Sequence, residues 1–128
     1  MKKILGILIF FTLLTIAVSA CTLSRSSNTT TGPNPIHMDN LTFKQASITI
    51  QKGQVVTLIN DAAVVHVIAN GTWNGTTPHP GIESGAPTIN NLQVNGNDTS
   101  AIGPFNTAGT FQIYCTVHPG MKMTIIVK

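Results

Sequence analysis

From Ile36 onward, the apolar residues of this chain come in short runs, cut at intervals by Gly, Asn and Pro. Eight Val and eleven Ile stand there against three Leu, with twelve Thr and a single Glu. Branched side chains lose rotamer freedom in a helix and pack well on a pleated surface, so this balance favours strands. No stretch keeps a helical apolar period between capping residues. Strands are expected over residues 41–43, 47–50, 55–60, 64–69, 110–115 and 124–127, with weaker ones over 92–94 and 99–102. Lys52-Gly53, Asn70-Gly71, Asn95-Gly96 and Ala108-Gly109 punctuate them as turns. Residues 71–91 read as one long irregular loop. So many short strands in about 90 residues predict an all-β fold, a Greek-key sandwich or barrel.

What precedes Ile36 reads as an address. Lys2 and Lys3 lead into an apolar stretch over residues 4–18, closed by Val18-Ser19-Ala20-Cys21. That is the layout of a secretory signal over residues 1–20. The stretch is short for crossing about 30 Å of hydrocarbon, which argues against an uncleaved anchor. Val18-Ser19-Ala20-Cys21 resembles the lipobox of bacterial lipoproteins, which implies an acylated Cys21 at the mature N-terminus; an ordinary cleaved signal is the competing reading. Residues 21–35, with Leu23 as the sole apolar side chain after Cys21, read as a flexible linker. The expected location is the extracytoplasmic side of a bacterial membrane, in the periplasm or at the cell surface.

The charge shrinks once it is placed. The whole chain carries +3, but residues 36–128 hold four Lys against three Asp and one Glu. A neutral domain has no basic surface for nucleic acid. Its length supports one core and a single domain over 36–128, expected to be monomeric.

Cysteine opens the chemistry. With Cys21 acylated, Cys115 has no partner within the chain, and a lone thiol in an exported protein asks for a reason. Strand alternation puts Phe111, Ile113 and Cys115 on one face, so the thiol points inward at a strand end. His118, Met121 and Met123 follow within eight residues, and His66 lies on a separate strand. Two imidazoles, a thiolate and a distant thioether are the ligand set of a blue-copper site. Each also has an ordinary reading: a core Cys, a satisfied sheet His, Met as core filler. His37 and His79 have no partners at ligand spacing and are expected in solvent, while Trp73 is expected to be a packing anchor.

Residues 111–121, Phe111-Gln112-Ile113-Tyr114-Cys115-Thr116-Val117-His118-Pro119-Gly120-Met121, resemble the metal-binding loop of the cupredoxins, most closely the plastocyanin and amicyanin group. Val56-Thr57-Leu58-Ile59-Asn60 is similar to the strand ahead of that family's first copper His, here His66. The resemblance implies one copper ion held by His66, Cys115, His118 and an axial Met. The short loop and the seven residues after it favour Met121 over Met123. Two positions depart from the family, which often has Pro before the first His and Asn after it; here they are Val65 and Val67. The Asn side chain normally braces the Cys loop.

A metal with four protein ligands has no open position for substrate, so the expectation is a one-electron carrier and not an enzyme. The resemblance implies redox-protein donors and acceptors docking transiently near His118, with Pro119, Gly120 and Met121 bordering an apolar patch. The alternative is a surface lipoprotein that sequesters copper without transferring electrons.

Overall fold

The computed structural model describes residues 31–128. The signal, Cys21 and linker residues 22–30 lie outside the described residues. Nine strands follow: β1 (Pro35–Met38), β2 (Ser47–Ile50), β3 (Gln54–Asn60), β4 (His66–Asn74), β5 (Thr77–Pro80), β6 (Leu92–Val94), β7 (Thr99–Phe105), β8 (Gly109–Cys115) and β9 (Lys122–Val127). The described chain is all-β, without a helix.

One sheet has the order β1-β3-β7; the other runs β2-β9-β8-β4-β5, with β6 pairing the first part of β4. β1 lies parallel to β3 and β2 parallel to β9, while the other pairs are antiparallel. Alternation decides what each strand buries. β8 turns Phe111, Ile113 and Cys115 inward, and β9 sets Ile125 opposite Phe111 and Met123 opposite Ile113. Val56 and Leu58 of β3 face them from the other sheet, together with Ile36, Met38 and Phe105. Phe105 and Phe111 join the two sheets directly, with ring centroids 5.9 Å apart. The thiol of Cys115 thus sits at one end of a filled sandwich.

Four expectations change. Residues 41–43 form no strand; Phe43 makes only an isolated bridge to Met38. Pro35-Ile36-His37-Met38 is a strand that its Pro and His conceal, because only Ile36 and Met38 alternate inward. The irregular loop resolves in part into a hairpin, with Gly71 to Asn74 of β4 paired against Thr77 to Pro80 of β5. All four residues of β5 are exposed and two are Pro, as befits a sheet edge. Asn70-Gly71 is consequently not a turn. Gly71 lies inside β4 at φ +129°, where an added Cβ would strike the His79 carbonyl oxygen and stand 2.9 Å from the Tyr114 ring. Glycine is what lets the hairpin lie down across Tyr114.

The linker's last residues belong to the packed domain. The Pro33 carbonyl accepts hydrogen bonds from the Thr57 amide (3.1 Å) and hydroxyl (2.9 Å), and the Asn34 side-chain amide donates to the Val55 carbonyl at 2.8 Å. Polar residues held by hydrogen bonds leave no trace in an apolar pattern.

Candidate metal centre

His66 opens β4 and is fully buried, fixed in the sheet opposite Val94 of β6. Its Nε2 lies 2.9 Å from the Asp39 carbonyl oxygen, an acceptor only, so the proton belongs on Nε2 and Nδ1 keeps a lone pair. Asp39 is itself held. Its Oδ1 accepts from the Leu41 amide (3.1 Å), the Thr42 amide (2.9 Å) and the Thr42 hydroxyl (3.1 Å), a local turn that aims the Asp39 carbonyl at the imidazole. These backbone bonds hold the Asp39 carboxyl below its ordinary range. Burial pushes the His66 pKa down, with the neighbouring His118 adding to it, and so favours the neutral ring that a metal requires.

The second donor is the buried thiol. Cys115 Sγ lies 3.5 Å from the Val67 amide, which donates to it, and 3.4 Å from His118 Nδ1. His118 Nδ1 is in turn 3.1 Å from His66 Nδ1, with the two rings edge to face. Cys115, His66 and His118 therefore meet with one donor atom each, and no carboxylate joins them. With bond lengths of the kind found for zinc, about 2.0 Å to nitrogen and 2.3 Å to sulfur, a planar trigonal ion would want donors roughly 3.5–3.8 Å apart. The two edges at His118, 3.1 Å to His66 Nδ1 and 3.4 Å to Cys115 Sγ, are a few tenths of an ångström tighter, and all three donors lie within 4.8 Å of one another. Two soft-to-borderline nitrogens and a thiol at this spacing fit one small ion.

The loop from Cys115 to Met121 closes on itself. The Cys115 amide donates to the Met121 carbonyl at 2.9 Å, and the Met121 amide to the His118 carbonyl at 3.1 Å. Gly120, at φ +82°, makes the tight return. Met121 is buried beside Cys115 just ahead of β9, whereas Met123 sits within β9 opposite Ile113, among the core side chains.

At position 67, where the family often has Asn, the contacts to the Cys loop are made by main chain. Val67 donates its amide to the thiol, and its carbonyl accepts from the Thr116 amide at 2.8 Å, so one residue's backbone spans both sides of Cys115. Buried Asn60 shapes the approach to His66. Its amide nitrogen donates to the carbonyls of Val64 (2.6 Å) and Asn95 (2.9 Å), and its Oδ1 accepts from the Ala62 amide. Asp39 carried a faint sequence signal, an Asp three residues ahead of a Thr. Trp73, whose indole bonds the Cys115 carbonyl at 2.9 Å, carried none. His37 pairs with Asp61 at 2.9 Å and His79 lies exposed on β5; neither joins the centre.

A two-sheet sandwich that gathers two imidazoles and one inward thiol at its end defines the class of mononuclear copper proteins called cupredoxins. Residues 31–128 match the family of copper-binding proteins that comprises plastocyanin and azurin. The chain belongs to that family. It is 25% identical over 114 residues to amicyanin-alpha of Methylorubrum extorquens, covering 89% of this chain and 87% of that protein. Among solved structures it resembles amicyanin from Paracoccus versutus, with 20% identity, a TM-score of 0.56, and 74% of this chain and 80% of that one covered. A reduced proline-to-phenylalanine variant of amicyanin gives a TM-score of 0.57 at 18% identity, covering 76% and 83% of the two chains. These structures share the fold; the cofactor is copper, one ion.

Proposed function

We propose that this protein is a blue-copper, one-electron carrier whose ion is held by His66 Nδ1, Cys115 Sγ and His118 Nδ1, with Met121 as the axial ligand. The observation that carries the reading is that the three donors already converge, with His66 Nε2–H donating to the Asp39 carbonyl and the thiol held by the Val67 amide. Bound there, copper supplies a couple between Cu(II) and Cu(I) that the soft thiolate and borderline imidazoles can both accommodate. The residues do the rest by holding still. His66 cannot rotate without losing Asp39, and Cys115 cannot withdraw without breaking its bonds to Val67 and Met121. Donors that stay put make the change of oxidation state cheap in rearrangement. The Cys115–Met121 bond favours Met121 for the axial place, and the position of Met123 within the β9 register favours a core role for it.

With all four positions taken, the protein is a carrier and not an enzyme. Partners are a redox donor and acceptor. His118 is partly exposed, and among the described residues four of the five exposed large apolar side chains lie within two residues of His118, His66 or Asp39: Leu41, Val64, Val65 and Val117. That surface suits weak, transient docking of a monomer. The location is extracytoplasmic, as the export signal implies, with lipidated Cys21 as the membrane attachment.

Titration of the purified protein with Cu(II), followed in the visible range, tests this. An intense blue thiolate band at one equivalent, absent in C115A, and reversible cycling at an electrode are expected. Copper uptake without the band sinks the carrier reading; a band without reversible cycling leaves copper sequestration.

A further inference from the structure

Trp73 is the only Trp of the chain, and it does more than fill space. It lies on β4 where that strand pairs with the edge strand β5, and it is almost fully buried. Its indole Nε1–H donates to the Cys115 carbonyl at 2.9 Å. Its own carbonyl accepts from Lys122 Nζ at 2.6 Å. Lys122 follows Met121 directly and stands opposite Tyr114 in the β8–β9 register. The Tyr114 ring packs edge-on against the indole with centroids 5.8 Å apart. By strand alternation Tyr114 faces away from Cys115, so Trp73 grips the ligand loop from the outer face of the sheet. Cys115 and Met121 are already linked by their own amide–carbonyl bond. One residue on a neighbouring hairpin therefore holds both ends of the loop that carries the thiol.

We infer that Trp73 is a positioning residue for the copper centre: with Lys122 as its counterpart it clamps the two ends of the Cys115–Met121 loop and so sets the placing of the thiolate and the thioether. This rests on the ligand assignment above. The indole dipole turns its positive end toward Cys115, which favours the state carrying the extra electron. A side chain that only fills space would contribute to stability and leave the centre's properties alone.

The test is W73F, which keeps a ring and loses the N–H, made in the full chain. In the copper-loaded protein the oxidation–reduction equilibrium constant is expected to move between about twofold and tenfold toward Cu(II), the range of one hydrogen bond. The intensity ratio of the visible bands should change with it. In the metal-free protein the Cys115 amide should exchange its hydrogen faster, because its bond to Met121 is no longer clamped. If the variant loses stability while equilibrium constant, spectrum and amide exchange all stay as in the wild type, Trp73 is a packing anchor and the proposal is overturned. Should W73F fail to fold, K122M is read the same way: a smaller shift in the same direction with faster exchange supports the clamp, and no change in any of the three overturns it. A wild-type protein without the blue band would sink the carrier reading, and the metal-free exchange would still decide the clamp.

Discussion

Met121 and Met123 are two residues apart, both buried and chemically identical, yet their backbones are held in different ways. Met121 is drawn to Cys115 by a backbone bond within the loop, and Met123 is locked by register against Ile113. Exchanging each for Leu separates the roles. M123L is a volume-conserving core change, expected to cost less than about 1.5 kcal/mol in urea unfolding and to leave the spectrum as it was. M121L should keep a blue band, since the three stronger donors remain, while the reduction potential moves; an M123L potential shift larger than that of M121L would reverse the assignment. At Val67 the main chain supplies a donor to the sulfur through its amide and a tie across the loop through its carbonyl.

At the scale of elements, the β4–β5 hairpin depends on Gly71. G71A places a Cβ against the His79 carbonyl and the Tyr114 ring at a backbone angle that L-residues rarely adopt. A loss of roughly 1–3 kcal/mol or more is expected by chemical denaturation, and Trp73 on the same hairpin should lose its hold on Cys115 with it. The connection from β3 to β4 has a different weakness. Asp61 accepts from Lys44 at 2.6 Å and from His37 at 2.9 Å, and its pKa is lowered by the Lys44 bond first and the His37 bond second. A carboxyl with a lowered folded-state pKa adds stability that is fully present above its ordinary value of 3.8 and vanishes as pH falls through the folded value. D61N should therefore be less stable than wild type near neutrality, the difference closing below about pH 3.8. A gap in melting temperature that does not narrow at all as pH falls below 3.8 would show that the pairing is not its source.

The molecule as a whole carries almost no net charge over residues 36–128. Long-range steering is accordingly weak, and the docking near His118 proposed above would rest on the exposed side chains of Leu41, Val64, Val65 and Val117. Electron-transfer rates with a redox-protein partner should change only a few-fold between low and physiological salt, measured by stopped-flow absorbance, whereas V117D should slow them much more. A steep fall with salt would point to a charged docking face instead.

Much of this was readable in the chain alone, because strand periodicity and ligand spacing are local. The alternation of Phe111, Ile113 and Cys115 points the thiol inward wherever the strand is placed, and the Cys115-x-x-His118-x-x-Met121 spacing brings soft donors together within one loop. The same locality hid β1 and β5, whose Pro and His residues make poor strands until neighbouring strands pair with them. It also hid most of the contacts that fix the site residues. Asp39 reaches His66 across 27 residues, Val67 reaches Cys115 across 48, and Trp73 reaches it across 42. Sequence by itself determined an all-β chain with a thiol and imidazoles suited to copper. Tertiary structure decided how they are held, because backbone amides and carbonyls are the same in every residue and acquire a partner only when the chain folds.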